Sequence, residues 1–330
     1  MPQGYHHLAY DKRCQIYALL NRGFSQIQIA DDIQVDQSTI SRELNRNKGR
    51  RGYRYKQAQE KATERRYRAS AQPRKMGPEV TQFIEQALCQ KQWSPEQISG
   101  YVRRSMNISI SPESIYQYIL NDKRMNGTLY KHLRRSGKKY NRRKNKTAGR
   151  GLIPNRVGIE NRPAIVELKE RVGDFEMDTI IGSHHRGAIV SVVDRRTKLT
   201  KLKLVSRATA EETKNAVVEL LSPIKKHVLT MTTDNGKEFA KHMDISKALN
   251  ATVYFANPYH AWERGLNENT NGLVRQYFPK KTDFSKLTHE EVQNVEYLLN
   301  TRPRKNLQYQ TPIEVFLQLT GHSLNYALQI

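Results

Sequence analysis

Cysteines and long apolar segments are scarce in this sequence. Its 330 residues include only two cysteines, Cys14 and Cys89, too few for a disulfide framework or a zinc knuckle, which fits a reducing cytoplasm. The longest apolar run, at 188–193, has the length of a strand and falls short of the ~18–20 residues of a membrane span. The first residues, MPQGYHHLAYDKR, contain no apolar stretch typical of a signal peptide. We therefore expect neither secretion nor membrane insertion.

Acidic residues are also few. The chain has 56 Lys and Arg against 32 Asp and Glu, a formal net charge of +24, which indicates a polyanionic partner rather than an ordinary metabolic substrate. Residues 1–150 hold 31 basic and 12 acidic side chains, whereas residues 151–330 hold 25 and 20. A chain of this length is expected to form several domains. The first half is thus the candidate nucleic-acid-binding part, and the second half retains its acids.

The first 50 residues have the pattern of a helix-turn-helix. Asp11 is placed to cap one helix, Ser25 with Gln28 forms a capping-box pattern at a second, and Asp36 is placed to cap a third. The outer face of the third helix carries short polar and arginine side chains suited to base edges in the major groove: Gln37, Ser38, Ser41, Arg42, Asn45 and Arg46. A plain three-helix bundle with a solvated face is the alternative.

A similar helical unit is predicted at 78–130. The tripeptide Ser-Pro-Glu occurs at 94–96 and again at 111–113, and each copy is typical of a capped helix start. Trp93 is placed to pack against the first of these helices. Ser114 and Gln117 are the candidate DNA contacts of the second helix, which is less basic than its counterpart in the first unit. A role in packing or dimerisation stays open.

Two basic stretches flank this second unit. Residues 51–77 are rich in Arg, Lys and Gln, and the stretch 131–150 holds ten basic residues and no acid. Such segments neutralise phosphates without reading sequence. The predicted organisation is a helix-turn-helix domain at 1–50, a basic linker at 51–77, the second helical unit at 78–130, a basic linker at 131–165 and an α/β domain at 166–330.

The periodicity changes from Gly173 onward. Alternation places Asp174, Glu176 and Asp178 on one face of a strand, and strands at 187–194 and 199–205 complete an antiparallel meander. Two further strands, at 228–233 and 251–256, alternate with helices. This order predicts a multidomain chain with N-terminal all-α units and an RNase H-like α/β domain built on a mixed five-stranded sheet. Helices at about 289–300 and 311–320 either pack on that sheet or form a subunit interface.

Three acids in the second half have a pattern that suits divalent-metal catalysis. Asp178 lies in the first strand, Asp234 follows the fourth, and Glu268 comes 34 positions after Asp234 on a predicted helix. Hard oxygen ligands of this kind hold Mg²⁺ against a scissile phosphate. Arg275, two helical turns after Glu268, is placed to bind a phosphate.

Four stretches carry a family resemblance: STISRELNRN, FEMDTIIG, TTDNGKEF and NPYHAWERGLNENTNGLVRQYFPK. With these, nearly the whole chain resembles the IS-thirty (IS30) family of bacterial insertion-sequence transposases, within the DDE transposase and retroviral-integrase superfamily. The resemblance implies that Asp178, Asp234 and Glu268 form the metal-binding triad, and that Arg275 is the basic residue following the Glu.

The same resemblance implies the cofactor and the partners. Two Mg²⁺ ions, with Mn²⁺ as a substitute, would support cleavage and strand transfer. The partner would be double-stranded DNA, namely the terminal inverted repeats and a target, bound by a homodimer or larger homo-oligomer in the bacterial cytoplasm at the nucleoid. A circular or joined-end intermediate is a further expectation.

Several neighbouring residues have competing interpretations. Glu176 is interpreted as an acid that supports the triad, with direct metal contact as the alternative. Glu263 competes with Glu268 but lies on a different helical face, and Asp194 is expected to shape a turn. His260 and Trp262 either contact DNA or pack.

Two other functions are compatible with part of the pattern. A transcriptional regulator would bind DNA but would have no use for the three spaced acids. A phage-type integrase or nuclease would use the same acids, and only inverted repeats flanking the gene would distinguish it.

Overall fold

A computed structural model describes residues 8–70, 76–134, 153–258 and 260–322. The chain forms two compact units, Met1–Lys75 and Met76–Ile330. Among the described residues, no helix is both long and apolar enough to cross a membrane. Most of the basic stretch at 131–150 and the end of the one at 51–77 lie outside the described residues.

The described residues of the first unit form four helices. They are α1 (Tyr10–Asn21), α2 (Gln26–Asp32), α3 (Gln37–Asn47) and α4 (Tyr55–Ser70). The capping box of Ser25 and Gln28 and the cap by Asp36 are confirmed. Asp11 instead lies in the first turn of α1, whose cap residue is Ala9 and makes no side-chain cap bond.

A buried ion pair joins α1 to α3. Arg13 donates from Nε and Nη2 to the two carboxylate oxygens of Glu43 at 2.8 and 3.2 Å, and Tyr53 donates its hydroxyl proton to Glu43 at 3.1 Å. Burial and the Glu43 charge raise the pKa of Tyr53. Apolar side chains complete the core: Leu8, Ile16, Ile29, Ala30, Ile33 and Ile40.

The stretch 51–77, which we predicted as a linker, contains helix α4 at residues 55–70. Arg65 donates to the carbonyl of Arg46 at 3.1 Å and to the side chain of Asn47 at 2.6 Å, while Lys61 donates to the carbonyl of Lys48 at 3.1 Å. Cations at the last carbonyls of a helix are stabilising. The basic side chains of α4 therefore hold the end of α3.

The second helical unit has three helices and opens the second compact unit. They are α5 (Pro78–Cys89), α6 (Pro95–Met106) and α7 (Pro112–Arg124). Both predicted helix starts are confirmed, since Ser94 forms a capping box with Gln97 and Ser111 accepts from the amide of Ser114. Trp93 is buried against this core, as predicted.

The α/β domain has a sheet of six strands. They are β1 (Val157–Gly158), β2 (Asp174–Ile181), β3 (Ala188–Asp194), β4 (Thr200–Val205), β5 (Thr230–Thr233) and β6 (Thr252–Phe255). The order is β1-β6-β5-β2-β3-β4, with β2, β3 and β4 antiparallel and with β5 parallel to both β2 and β6. The RNase H-like fold is thereby confirmed, with one more strand than predicted, because β1 adds two residues parallel to β6.

Helices cover both faces of this sheet. They are α8 (Ile165–Leu168), α9 (Ala210–Leu221), α10 (His242–Leu249), α11 (Gly265–Tyr277), α12 (His289–Asn300) and α13 (Pro312–Thr320). Phe175 and Met177 of β2 join the core under α9 and α10, whereas Ile180 joins the core under α11 and α12. The alternation of β2 therefore directs Glu176 and Asp178 toward α11. Of the two alternatives for the last helices, the structure shows packing on the sheet domain.

The second helical unit, which we predicted as a domain of its own, makes hydrogen bonds with the α/β domain, and both lie in one compact unit. The guanidinium of Arg302 and the hydroxyl of Tyr277 both donate to the carbonyl of Lys91, each at 3.3 Å. Arg104 pairs with Glu314 at 3.0 Å. These contacts join the loop before α6 to the end of α11 and to the segment after α12, and they join α6 to α13.

Candidate active site

Asp178 lies in the middle of strand β2. One carboxylate oxygen, Oδ1, accepts from the amide of Thr179 at 2.9 Å, and the other, Oδ2, accepts from the side chain of Asn271 at 2.9 Å. Ser191 on β3 donates in turn to the Asn271 side-chain oxygen at 3.1 Å. Burial raises the pKa of Asp178 to about 6, although the guanidinium of Arg264 acts to lower it. The carboxylate is thus oriented by two donors.

Asp234 lies beside Asp178 because of strand register. Glu176 of β2 pairs with Thr232 of β5 in a parallel ladder, so the residue two positions further on each strand comes to the same edge. Asp234 accepts from the amide of Gly236 at 2.8 Å through Oδ1, which is the turn chemistry of Asp-Asn-Gly. The structure therefore brings these two predicted site residues together.

Glu268 lies near the start of α11 and is exposed. It opens onto a cleft of about 520 Å³ that also contains Asp178. The residues that line this cleft are Asp178, Thr179, Ile180, Ile181, Arg264, Glu268, Asn271, Gly272, Arg275 and Lys280. One open cleft therefore contains two of the three predicted acids together with three cationic side chains.

Arg264, which the sequence did not single out, lies between the two aspartates. Its guanidinium is 3.5 Å from Asp178 Oδ2 and 3.3 Å from Asp234 Oδ2, and it donates to the carbonyl of Met177 at 3.4 Å. Arg264 belongs to the stretch HAWERG that precedes Glu268. Its place four residues before Glu268, a predicted metal ligand, was the signal that the sequence offered.

Glu176 does not point into the cleft. Its buried carboxylate accepts from the amide of Asn267 at 3.0 Å, at the start of α11, and lies 3.6 Å from Arg195. A carboxylate at a helix N-terminus is stabilising. Glu176 therefore links the strand that bears Asp178 to the helix that bears Glu268.

Another acid near the site was missed. Glu238 accepts from the hydroxyl of Thr179 at 2.9 Å, and its charge contributes to the raised pKa of Asp178. The signal was its place in TTDNGKEF, four residues after Asp234. Glu238 adds negative charge beside the two aspartates.

The structure also shows the contacts of Glu263 and Asp194, the other acids that the sequence analysis considered. Glu263 accepts from the amide of Asn257 at 2.7 Å and so stabilises the loop after β6. Asp194 accepts from the amides of Gly173 and Thr197 and shapes the ends of its strands. The residue Gly173 has a φ of +106°, and a Cβ there would meet the carbonyl of His227 at 2.1 Å.

The structure also shows the surroundings of Arg275 and Trp262, two further residues that we predicted near the site. Arg275 lines the cleft, but its guanidinium donates to the carbonyl of Ile181 at 2.6 Å and lies over the ring of Phe284. Trp262 is largely exposed, with its ring edge against His260 at 4.3 Å between centroids. The Arg275 guanidinium therefore makes contacts within the fold, whereas most of the Trp262 side chain is exposed to solvent.

The residues present fit a divalent cation. Among the described residues, no group of three His, Cys, Asp or Glu is arranged as a metal site. The Oδ2 atoms of Asp178 and Asp234 nevertheless face one position, which is occupied by the Arg264 guanidinium, and Asp178 Oδ2 also accepts from Asn271. Carboxylate oxygens are the ligands that Mg²⁺ prefers. Glu268 lines the same cleft and is the third acid of the predicted set.

The predicted DNA-binding residues lie on outer faces of their helices. In α3, Ile40, Glu43 and Asn47 are buried and the candidates are exposed or half-buried: Gln37, Ser38, Ser41, Arg42, Asn45 and Arg46. In α7, Ser114 and Gln117 are exposed, and Gln117 donates to Glu113 at 2.6 Å. The face on α3 is the more basic of the two.

Comparisons with known proteins agree with this architecture. A helix-turn-helix domain model matches residues 4–47, and a homeodomain-like domain model matches residues 39–119. The chain is 45% identical to the transposase for insertion sequence element IS4351 of Bacteroides fragilis, over 96% of this chain and 97% of that one. It is 34% identical to the transposase InsI for insertion sequence element IS30A of Escherichia coli strain K12, over 94% and 83% respectively.

A solved structure covers part of the second unit. The crystal structure of the catalytic core domain of BIV integrase superposes with a TM-score of 0.36 and 20% identity, over 44% of this chain and 93% of that one. The strand order described above, rather than this superposition, defines the fold.

Proposed function

The chain belongs to the IS30 family of insertion-sequence transposases, and on that premise we propose that Asp178, Asp234 and Glu268 are the residues that catalyse its DNA cleavage and strand transfer. The protein is a DNA transposase, a polynucleotidyl transferase of the DDE type. One observation carries the assignment of the site: the Oδ2 atoms of Asp178 and Asp234 both face the Arg264 guanidinium, beside the cleft that Glu268 lines.

The cofactor we propose is a pair of Mg²⁺ ions, with Mn²⁺ as a substitute. When bound, the ions would activate water and stabilise the leaving 3′ oxygen. Asp178 and Asp234 would hold them through their carboxylates, whose Oδ2 atoms both lie near the Arg264 guanidinium. Asn271 keeps the Asp178 carboxylate in this orientation. Arg275 and Lys280 supply positive charge along the cleft for the DNA phosphates.

End recognition is proposed for the exposed face of α3. Replacing Arg42 or Arg46 with Ala should weaken binding to the element's end about tenfold or more, which is the usual cost of a lost base contact. Replacing Gln117 tests whether the second helical unit also binds DNA. Unchanged binding in Gln117→Ala would favour a role in packing or assembly.

Transposition needs two DNA ends in one complex, so we propose a homodimer or larger homo-oligomer as the active form. The end that is cut would supply its 3′-OH for joining, which is compatible with a circular intermediate. Because the substrate is chromosomal DNA, we place the protein in the bacterial cytoplasm, at the nucleoid.

The test uses the full chain and a labelled duplex carrying the DNA that flanks its own reading frame. We expect cleavage at one discrete position with Mg²⁺ or Mn²⁺, and a loss of at least about a thousandfold in Glu268→Gln with end binding retained, since metal ligation supplies several kcal/mol. Glu290→Gln, an exposed acid of α12, is the matched control and should cleave normally.

Three results would change this conclusion. Tight, specific binding without cleavage under either metal would indicate a transcriptional regulator. Normal cleavage by Glu268→Gln would contradict the triad. Metal-dependent cleavage by the protein, together with a gene that has no flanking inverted repeats, would favour the phage-type integrase.

A further inference from the structure

The two aspartates of the site present one oxygen each to the same side chain. In both carboxylates Oδ1 is bonded to a backbone amide, that of Thr179 at 2.9 Å and that of Gly236 at 2.8 Å. Both Oδ2 atoms face the guanidinium of Arg264, at 3.5 and 3.3 Å. A backbone amide thus holds Oδ1 of each carboxylate, and both Oδ2 atoms face the guanidinium, with Asp178 Oδ2 also accepting from Asn271 at 2.9 Å.

Electrostatics explains why a cation is needed there. Two ionised carboxylates on adjacent strands repel each other, and partial burial strengthens the repulsion. The planar guanidinium has several donors and can contact both groups at once. The Arg264 side chain is only 14% exposed, so bulk water only partly screens its contacts with the two carboxylates.

The contacts of Arg264 with the aspartates are long for ion pairs. Charge-assisted hydrogen bonds between arginine and carboxylate are usually about 2.7–2.9 Å. Both Arg264 distances exceed that range, whereas the buried pair of Arg13 with Glu43 lies within it at 2.8 Å. The guanidinium is therefore weakly held, at a place where a divalent ion would bind both oxygens more strongly.

We propose that Arg264 is a positioning residue that takes the place of the metal ion in the metal-free site. It offsets the repulsion between Asp178 and Asp234 while the metal is absent, and it is displaced when the ion binds. The displaced guanidinium still lines the cleft, among the side chains that face the DNA. This inference rests on the proposed metal-dependent function of the same two aspartates.

The test measures metal affinity and needs no DNA. Mn²⁺ is titrated into the full chain at neutral pH and the free ion is followed by electron paramagnetic resonance. In Arg264→Gln the ion has no guanidinium to displace, and the unrelieved repulsion between the aspartates favours it. We expect binding about tenfold tighter than in the unmodified protein, the order of effect of one partly buried ion pair.

Two variants separate displacement from a general charge effect. Arg275→Gln removes the same charge from the same cleft, but its guanidinium contacts the carbonyl of Ile181 rather than an aspartate, so affinity should change less than about threefold. Arg264→Lys keeps the charge without the planar donor pair and should bind Mn²⁺ with an intermediate gain. It also carries the test if the Gln variant fails to fold.

The outcomes distinguish this inference from the function on which it rests. Equal or weaker Mn²⁺ binding in both Arg264 variants would overturn the displacement model, and metal-dependent cleavage could still stand. A gain in Arg275→Gln as large as that in Arg264→Gln would also overturn it. Absence of Mn²⁺ binding by the unmodified protein at millimolar concentration would contradict both.

Discussion

Arginine–carboxylate pairs occur in both compact units, yet they differ in geometry and burial. Arg13 and Glu43 in the first unit form two hydrogen bonds at 2.8 and 3.2 Å, and their side chains are 6% and 7% exposed. Arg264 in the second unit contacts Asp178 and Asp234 at 3.5 and 3.3 Å, and those carboxylates are 22% and 26% exposed. The first pair is short and buried, and the second is long and accessible.

The difference indicates two uses of the same chemistry. A short, buried pair cannot be opened without leaving a charge unpaired in the core, so it fixes the fold. A long pair at a cleft can exchange one cation for another at small cost. In these two examples, arginine stabilises the fold of the first unit, whereas in the second unit it occupies the position where we propose that a metal ion binds.

The largest expected effect comes from breaking the buried pair. Glu43→Ala leaves Arg13 charged and without its carboxylate, and should lower the free energy of unfolding of the first unit by about 3–5 kcal/mol. Both tryptophans, Trp93 and Trp262, lie in the second unit. Urea unfolding should thus show an early circular-dichroism transition without a shift in tryptophan fluorescence.

The matched control for this experiment is Glu64→Ala. It breaks an exposed pair with Arg68 and should cost no more than about 0.5 kcal/mol. If the two variants unfold alike, burial does not separate structural from exchangeable pairs and the comparison fails.

A second, smaller effect is expected at the support of the catalytic helix. Glu176→Ala removes the acceptor for the Asn267 amide and should lower the cleavage rate about 10–100-fold, the usual range for a residue that orients a metal ligand. The Mg²⁺ concentration for half-maximal cleavage should rise as well. Both quantities are measured on the labelled end duplex.

Rescue by a conservative change identifies the cause. Glu176→Gln keeps an oxygen that can accept from Asn267 and should recover most of the activity. Equal loss in the Gln and Ala variants, with unchanged Mg²⁺ dependence, would mean that Glu176 only stabilises the core with Arg195.

The pH dependence of metal binding tests the accessible pair directly. Burial raises the pKa of Asp178 to about 6, above its usual range near 4, so the carboxylate loses its charge as pH falls through about 6. Mn²⁺ affinity should be constant above about pH 7 and fall about tenfold per pH unit below 6. A midpoint near pH 4 would contradict this, whereas Arg264→Gln should move the midpoint upward.

The smallest effect is expected at an exposed pair with a short distance. Arg104 and Glu314 lie 3.0 Å apart, but their side chains are 34% and 41% exposed. Arg104→Ala should lower the free energy of unfolding by at most about 1 kcal/mol, as followed by tryptophan fluorescence in urea. A loss above about 2 kcal/mol would show that distance, rather than burial, decides the strength of these pairs.

Local sequence predicted the features whose interactions are local. Ser25, Ser94 and Ser111 each cap a helix by accepting from an amide three residues later, so the pattern is complete within four positions. The face of β2 that carries Asp178 was predictable because alternation needs only one strand. The register of β5 then brought Asp234 to the same edge, as its place after a strand had indicated.

Features that depend on distant partners were not predictable. Strand β1 has two residues and exists because β6 offers it a ladder. Helix α4 buries Ala58 and Ala62 instead of large apolar residues, so its composition resembled that of a linker. The contacts of Arg264 with Asp178 and Asp234 join residues far apart in the chain, and no periodicity indicates them.

The most direct test of the central claim is an anomalous diffraction map at the manganese edge, from crystals of the full chain grown with Mn²⁺. We expect a peak within roughly 2.0–2.3 Å of Oδ2 of both Asp178 and Asp234. The guanidinium of Arg264 should have moved away from both oxygens. A map without a peak in the cleft, with Arg264 still between the aspartates, would contradict the assignment of this cleft as the metal-dependent active site.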